Sequence, residues 1–589
     1  MRTLYRNGTI LTLDHEADRH EALVVENGAV AGVGDAHSMT ALAGDGADVV
    51  DLDGAFALPG LIDSHPHAMH FTAYRVGAVD LTEARNFDDI VHAISTRAAV
   101  TPKGEWIVCT PIGEPHYFIR RNHTSLDERR MPDRSVLDKA APDHPVWIMA
   151  WAPKTPNICA FNSLGLRKLG IGSRIPDKVC GVSFEKDANG ALTGIVRGKV
   201  NNYYNDDPYW AAVTSHLPML PDAVWELAGA AGLQACNADG ITGLYEAHAM
   251  MPPHLTAYNN LAAAGLASAR VVMSLELSGY AFSTLNYSEE DVWGLLTYGQ
   301  SQQRPDDPLV RTVGVTLSRG GPLTPGYLRM NEPYLGPFGE ETKGTTFLSH
   351  DIEKRVVAHC LQHGLRLNMV LGGYRDHDDF IASLRGAGSV EDIAAADWVL
   401  QHCYFTSPEH IAAYKEYRFH MTTSASFVYG KADVVRQKFP HSNMEDFIAM
   451  RRFVEADLNL ACGTDWGPDN PWCQMALNEI RESAHSGHRH LEHGNQLTRL
   501  QSLHSFTRNG AGVMQWPELG HLKAGCRADL AIIDRDPFTA TPEALAETKV
   551  LRTVVDGNAV FDAGAVQGGP MALPKSAAQL MAEAQGLSS

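Results

Sequence analysis

Two neighbouring histidines in the first part of the chain have the spacing of a metal-binding pair. They are His65 and His67, which end the segment 58–67, LPGLIDSHPH. Residues two apart on a strand point to the same side, so the two imidazoles can converge on one ion. Pro66 removes a ladder hydrogen bond and places the pair at the end of the strand, where barrel enzymes keep their sites. A bare His-x-His is more often part of a surface loop, but the apolar run before it favours a buried strand.

An aspartate and a histidine later in the chain also stand at the ends of apolar, strand-like runs. Asp465 closely follows the run 458–462, and a carboxylate there can bind a metal and accept a proton from metal-bound water. A turn or helix-capping residue is the commoner interpretation of a lone aspartate. His402 ends the run 398–402, where it can be a metal ligand or an orienting group, and a hydrogen-bonded core histidine fits equally well.

Weaker candidates follow the ends of other predicted strands. Glu246 and His248 come after the run 241–245 and share a face by their spacing, which makes them candidates for the same pocket. Four aromatic residues near strand ends could line an apolar substrate pocket, although core packing explains each of them equally well. These are Tyr374, Tyr404, Trp466 and Trp472.

The elements that must position these residues differ between the middle and the ends of the chain. In the middle, helical patterns such as 222–237 and 351–363 are followed by short apolar runs. Repeated βα units of this kind predict a parallel sheet, either closed into a barrel or left open. Both ends instead have short strand patterns, which predict a small β-domain built from the two termini. Their hairpin signals are the dipeptides Asn7-Gly8, Asn27-Gly28 and Asp556-Gly557.

Composition and charge narrow the function classes. The 589 residues are 44% hydrophobic and 20% charged, which is typical of a globular protein. A net charge of −20 argues against nucleic acid or an anionic membrane as a partner, because either needs a basic face. Nine cysteines without a C-x-x-C pair predict free thiols in a reducing compartment. Without a signal-peptide pattern or a long apolar span, we expect a cytoplasmic protein that acts on a small molecule. A homodimer is the expected state for a barrel enzyme of this size.

Taken together, these segments resemble the amidohydrolase superfamily. The segment 59–67 is similar to its first-strand signature, Asp465 in the sequence GTDW to its last-strand aspartate, and His402 to its sixth-strand histidine. Three further segments resemble amidohydrolase family 3, the YtcJ-like branch: 161–164, 189–197 and 522–530. The resemblance extends over nearly the whole chain.

The resemblance implies an α/β fold with a (β/α)8 TIM-like barrel and a small composite β-sandwich from both termini. The implied domains are 1–57 with 522–570 for the sandwich, 58–521 for the barrel, and 571–589 for a peripheral C-terminal tail.

The chain departs from that branch at two strand positions. The branch carries a lysine on a middle strand, carbamylated to bridge two metal ions, where this sequence has Thr316. It also carries a fifth-strand histidine at a position that falls on Met369, or on Asn368 if the register shifts by one. Threonine cannot be carbamylated, and neither methionine nor asparagine is a usual ligand for a hard or borderline divalent ion. We therefore expect one zinc ion, with manganese or iron as alternatives, and an open water position. Its expected ligands are His65, His67, His402 and Asp465.

These residues predict a hydrolase. The metal lowers the pKa of a bound water towards neutrality, and Asp465 takes its proton as the hydroxide attacks a carbonyl-like carbon. Asp465 then returns the proton to the leaving nitrogen, while His402 binds the metal or polarises the substrate. The predicted reaction is cleavage of a carbon–nitrogen, amide-type bond, other than a peptide bond, in a small and partly aromatic molecule.

Two other functions fit the same residues. The superfamily resemblance also covers deaminases and a few decarboxylases and isomerases, and a single-metal site suits deamination. A degenerate barrel that binds a ligand or regulates without turnover would explain the missing lysine and histidine. Retention of His65, His67 and Asp465 argues against that second alternative.

Overall fold

The computed structural model describes nine stretches of the chain. They are residues 2–113, 121–150, 155–201, 205–218, 220–278, 288–439, 444–467, 469–491 and 494–564. The tail predicted at 571–589 lies outside the described residues. No helix in the described part of the chain has the length and apolar character needed to cross a membrane.

Eight strands in chain order form one parallel sheet, in which each strand pairs with the next. They are β1 (Leu61–Asp63), β2 (Ile241–Glu246), β3 (Arg270–Glu276), β4 (Val310–Ser318), β5 (Leu367–Leu371), β6 (Val399–His402), β7 (His420–Thr423) and β8 (Asn459–Cys462). The ends of the sheet meet where the Ser64 amide donates to the Cys462 carbonyl at 3.2 Å. The predicted (β/α)8 barrel is confirmed.

Helices cover the outer face of this barrel and side chains fill its interior, so both faces of the strands are buried and the strands are apolar almost throughout. All seven residues of β3 and all five of β5 are buried. The helices are Ala36–Ala43, Ala68–Gly77, Phe87–Ala98, Arg134–Ala140, Ser163–Lys168, Pro208–Thr214, Asp222–Ala238, Pro252–Ala263, Glu289–Ser301, His350–Gln362, Tyr374–Ala387, Val390–Ala395, Pro408–Glu416, Ser426–Lys438, Met450–Glu455, Pro471–Ile480, Arg499–Ser505, Arg508–Val513 and Pro542–Ala546. A short 3-10 helix spans His123–Ser125.

Two further sheets come from the ends of the chain. One orders Ala29–Gly34, Ala22–Glu26, Arg2–Arg6 and Asp48–Asp51. The other orders Asn558–Asp562, Val550–Val555, Leu530–Ile533, Phe56–Pro59, Thr9–Leu11 and Arg19–His20. In the second sheet, strands from the two termini pair antiparallel, with Leu530 opposite Pro59. The expected composite β-domain therefore exists as a sheet shared by both ends.

Two of the three predicted hairpins are present. Asn27-Gly28 and Asp556-Gly557 both have positive φ at each residue, as a two-residue hairpin turn requires, and each joins paired strands. The hairpin predicted at Asn7-Gly8 is wrong, because the strands on either side of it belong to different sheets. A side chain at Gly8 would lie 2.4 Å from the Ala55 carbonyl oxygen, so glycine is needed there for a close crossing of two chain segments.

A third sheet of six strands lies in the chain between β1 and β2. Its order is Lys178–Val179, Val182–Lys186, Leu192–Gly198, Asn157–Phe161, Val146–Ile148 and Ile107–Cys109. This stretch falls within the range 58–521 predicted for the barrel, and the sequence did not predict a separate sheet there. Asn162, in one of the segments that resemble the family, accepts from the amides of Val146 and Gly165. The segment 161–164 therefore fixes the start of the helix Ser163–Lys168, which follows a strand of this sheet.

Candidate metal centre

The two histidines of the first motif lie just beyond the end of β1, as their sequence predicted. The His65 amide donates to Asp63 Oδ1 at 3.0 Å, and His67 has a φ of 50° immediately before the helix Ala68–Gly77. Both rings are buried, and their Nε2 atoms lie 3.2 Å apart. This turn aims the two imidazoles at one point.

Asp465 and His402 reach the same point from β8 and β6. The Asp465 amide donates to the His65 carbonyl at 2.8 Å, which ties the end of the last strand to the first motif. Asp465 Oδ1 lies 3.3 Å from His67 Nε2 and 3.6 Å from His65 Nε2. Asp465 Oδ2 lies 4.0 Å from His402 Nε2. All four residues expected to bind the metal are thus brought together.

His248 joins this cluster from the end of β2. Its ring centroid lies 5.3 Å from those of His65 and His402, and 5.5 Å from that of His67. His65 belongs to two groups of three residues, one with His67 and His248 and the other with His402 and Asp465. Within each group the potential ligand atoms all lie within 4.8 Å of one another. From the sequence, His248 was predicted only as a substrate-binding candidate for the same pocket, together with Glu246.

The electrostatics of the cluster suit a cation. Burial lowers the pKa of His65, His67 and His402 well below the usual range for histidine, which keeps the rings neutral and able to coordinate. His402 Nε2 and both Asp465 carboxylate oxygens are buried without a hydrogen-bond partner among the described residues. Buried polar atoms are normally satisfied, so these orphaned atoms fit a metal ion.

Asp63 holds the two barrel ends together beneath this cluster. Its carboxylate accepts from the Thr464 hydroxyl at 2.7 Å and from the His65 amide. Burial raises the pKa of Asp63 to about 6, and these hydrogen bonds oppose that rise. Through these contacts Asp63 positions the two histidines that follow it in the chain.

A cavity opens over the cluster and exposes part of it. Its described lining includes His248, His402, Asp465, Tyr404 and Trp466, together with backbone around Gly320, Gly321 and Gly372. The Trp466 ring lies 5.1 Å from that of His67. Tyr404 and Trp466, two of the four aromatic residues predicted as pocket candidates, therefore line this cavity.

A buried lysine that the sequence analysis missed stands behind Tyr404. Lys431, on the helix Ser426–Lys438, donates from Nζ to Tyr404 Oη at 2.7 Å. Its Nζ also lies 4.6 Å from the Phe427 ring centroid. Burial lowers the pKa of Lys431 to about 8, and the Asp465 carboxylate opposes this. The one available signal was a lysine on an otherwise apolar helix face.

Three other candidates lie apart from the described lining of the cavity. Glu246 accepts from the Ala68 amide at 3.1 Å and from Tyr258 Oη at 3.0 Å. Tyr374 donates to Asp446 Oδ2 at 2.7 Å, and the fully buried Trp472 donates from Nε1 to the Asp239 carbonyl at 3.1 Å. Each of them contacts neighbouring structural elements, which corrects the expectation that they line the pocket.

The two departures from the family pattern can be located. Met369 packs in the apolar layer between the barrel and its helices, so the inward position on β5 belongs to Asn368. The Asn368 amide donates to Thr316 Oγ1 at 3.1 Å, and Thr316 in turn donates to the Ala247 carbonyl. The places expected for lysine and histidine are thus occupied by neutral side chains that bind each other.

A parallel (β/α)8 barrel with converging histidines and a carboxylate at the carboxyl ends of its strands defines the class of metal-dependent barrel hydrolases. Residues 48–561 match the family model described as "Amidohydrolase family", so the chain belongs to the amidohydrolase family. This match confirms the predicted family and the predicted class of enzyme, a metal-dependent amidohydrolase.

Similar proteins cover almost the full chain. It is 24% identical over 577 residues to the N-substituted formamide deformylase of Arthrobacter pascens, covering 94% of this chain and 96% of that protein. It is 22% identical over 574 residues to YtcJ of Bacillus subtilis (strain 168), covering 95% and 100%. Among solved structures, a metal-dependent hydrolase from Pyrococcus furiosus superposes with a TM-score of 0.69 at 19% identity, covering 92% and 100%. That structural likeness shows a shared fold.

Proposed function

We propose that this enzyme hydrolyses a carbon–nitrogen, amide-type bond of a small molecule at a centre that holds one zinc ion. The observation that carries the proposal is the convergence of neutral histidine nitrogens on a carboxylate whose oxygens are buried without a hydrogen-bond partner among the described residues. Nitrogen and carboxylate donors of this kind suit zinc. Manganese and iron remain the alternatives, to be separated by metal analysis.

The ligands that we propose are His65, His67, His402 and Asp465, with His248 added from β2. Zinc held there would supply a Lewis acid that lowers the pKa of a coordinated water towards neutrality. Asp465 is both a ligand and the nearest carboxylate in the cavity, so it accepts a proton from the attacking water and passes it to the leaving nitrogen.

Tyr404 and Lys431 supply a second stabilising group in this proposal. Because Lys431 donates to Tyr404 Oη, the phenol proton points away from Lys431. The adjacent positive charge makes the Tyr404 hydroxyl a stronger hydrogen-bond donor. Tyr404 lines the cavity beside His402, where it can donate to the oxygen that becomes negative as water adds to the substrate carbon. Trp466 provides an apolar wall for an aromatic part of the substrate.

The proposed substrate class rests on the chemistry of the site and on the name of one similar protein. One relative that shares almost the full length is named for deformylation of N-substituted formamides, which is hydrolysis of a small amide. We therefore propose N-acyl amines with a short acyl group and an apolar amine part as substrates. We also propose a cytoplasmic homodimer, which is compatible with nine free cysteine thiols and is testable by sedimentation.

The test combines metal analysis with product analysis. Protein loaded with zinc, manganese or iron is incubated with N-substituted formamides and other N-acyl amines, and the released amine and carboxylate are quantified. We expect about one metal ion per chain and equal amounts of the two products. Release of ammonia without a carboxylate would instead indicate deamination.

A double substitution provides the control for the site. His65→Ala with His67→Ala should abolish metal binding and activity while the far-ultraviolet circular dichroism stays unchanged. The matched pair is His359→Ala with His363→Ala, in the last turn of the helix His350–Gln362 and just after it, whose rings lie 4.2 Å apart. This variant should keep both properties. A wild-type protein that binds none of the three metals would overturn the proposed function.

A further inference from the structure

The peptide that carries His248 is held from across the barrel by two neutral side chains. The Ala247 carbonyl accepts from Thr316 Oγ1 on β4 and from Asn368 Nδ2 on β5, the latter at 3.0 Å. Thr316 and Asn368 are fully or almost fully buried, and they are also bonded to each other. Ser274 Oγ on β3 lies 2.9 Å from Thr316 Oγ1 and completes the arrangement.

The chain around this peptide needs such support because it has left the strand. The Ala247 amide donates back to the Tyr245 carbonyl at 3.1 Å, and Ala249 has a φ of 60°. A residue other than glycine with positive φ is uncommon and persists when surrounding contacts fix it. His248 stands between these two turns, so its direction depends on where the Ala247 peptide is held.

Glu276 at the end of β3 fixes the ring of His248. His248 Nδ1 lies 3.2 Å from Glu276 Oε2, and a carboxylate only accepts, so Nδ1 carries the proton. The lone pair of Nε2 is then available to a metal, as in other sites where a carboxylate orients a ligand histidine. Glu276 is itself held by Ser278 Oγ at 2.9 Å and Ser318 Oγ at 3.3 Å.

We propose that Thr316 and Asn368 are positioning residues that fix the Ala247 peptide, so that His248 supplies the metal with a ligand from β2. The proposal rests on the metal centre of the proposed function. It gives a role to the two positions where the chain lacks the expected lysine and histidine. In this proposal neither Thr316 on β4 nor Asn368 on β5 binds the metal. Both instead hold in place a ligand from β2, His248.

The test measures metal affinity directly, by titrating apo-protein with Co²⁺ against a chelator and recording the visible absorption of the bound ion. Thr316→Val removes the hydroxyl at nearly constant volume, and Asn368→Ala removes the amide. We expect each to weaken Co²⁺ binding by about 10–100-fold, the usual effect of losing a group that orients a ligand. The matched control is Thr312→Val, on the same strand and fully buried, whose hydroxyl has no hydrogen-bond partner among the described residues.

A double-mutant cycle separates positioning from general stability. If Thr316 acts through His248, Thr316→Val should add little to the loss of Co²⁺ affinity caused by His248→Gln alone. Fully additive losses, or equal affinities for Thr316→Val and Thr312→Val, would overturn this inference and leave the proposed function standing. Failure of the wild-type protein to bind Co²⁺, Zn²⁺ or Mn²⁺ would overturn both.

Discussion

At the residue scale, Lys431 brings a charged group into a position where water solvates it poorly. Burying an ammonium group is costly, and a tyrosine hydroxyl compensates less than a carboxylate would. The Lys431 side chain contacts Tyr404 and Phe427, and the Asp465 carboxylate in the metal centre opposes the lowering of its pKa by burial. This placement favours a role in catalysis over a role in packing.

We predict that Lys431→Met lowers kcat on an N-acyl amine by about 10–100-fold, because Tyr404 becomes a weaker donor to the developing oxyanion. Metal content should remain at the wild-type level, since Lys431 is not a ligand. Tyr404→Phe should have an effect of similar size, and the double variant should be little worse than either one.

The control for this prediction is Lys438→Met, on the same helix and only partly buried. It should keep the wild-type kcat. An unchanged kcat in Lys431→Met, or a parallel loss of bound metal, would remove the oxyanion role from our mechanism.

Individual site residues were predictable to different degrees. The convergence of His65, His67, His402 and Asp465 could be predicted because each lies at or just after the end of an apolar strand, and strand ends of a parallel barrel meet at one rim. Glu246 and Tyr374 satisfied the same rule but bind neighbouring elements instead. Sequence position gives the rim but leaves the side-chain partner undetermined.

At the element scale, the closure of β8 onto β1 determines the spacing of the proposed ligands on these two strands. Gly463 passes so close to the first motif that an added Cβ would lie 2.5 Å from the His65 nitrogen and 2.8 Å from Asp63 Oδ1. These neighbours are a backbone atom and a hydrogen-bonded carboxylate, and neither can move without moving His65.

We therefore predict that Gly463→Ala weakens metal binding by at least about 10-fold, since ligand placement is sensitive to displacements of this size. The matched control is Gly386→Ala, at an exposed helix position where an added Cβ meets nothing within 4 Å. It should leave the metal affinity unchanged. Titration with Co²⁺ tests both variants, and wild-type affinity in Gly463→Ala would contradict the expected clash.

The barrel elements were predictable because their hydrophobic periods are strong. The predicted helices at 222–237 and 351–363 correspond to Asp222–Ala238 and His350–Gln362. The sheet between β1 and β2 was missed, since short strands separated by turns have no signal that distinguishes an insertion from barrel units. At Asn7-Gly8 the hairpin prediction is wrong because a dipeptide signal cannot show that the next strand joins another sheet.

At the scale of the whole molecule, a buried arginine joins the barrel to the composite sheet. Arg270, at the start of β3, donates to both Asp529 carboxylate oxygens, at 2.9 and 3.2 Å, and also to Asp556. Arg270 and Asp529 are almost completely buried, and they are 259 residues apart in the chain. The C-terminal strands therefore brace the barrel through a charge pair that the solvent does not reach.

We predict that Asp529→Asn lowers the free energy of unfolding by about 3–5 kcal/mol, because it leaves the arginine charge buried without its main partner. Denaturation by urea, followed by fluorescence, measures this change. The comparison is Glu26→Gln, which breaks the Arg2–Glu26 pair, where both side chains are about 40% exposed. That change should cost less than about 1 kcal/mol. Equal effects would argue against a bracing role for Arg270.

The sequence by itself predicted the family, the barrel and the composite sheet, and it predicted that His65, His67, His402 and Asp465 come together. It could do so because apolar periodicity and the segment LPGLIDSHPH are local properties of the chain. The tertiary structure decided what lies between distant segments: that His248 joins the His65 and His67 cluster, and that Lys431 stands behind Tyr404. It also decided that Thr316 and Asn368 hold a peptide 69 and 121 residues away in the chain. These contacts depend on barrel closure, and no local pattern encodes which side chains closure brings together.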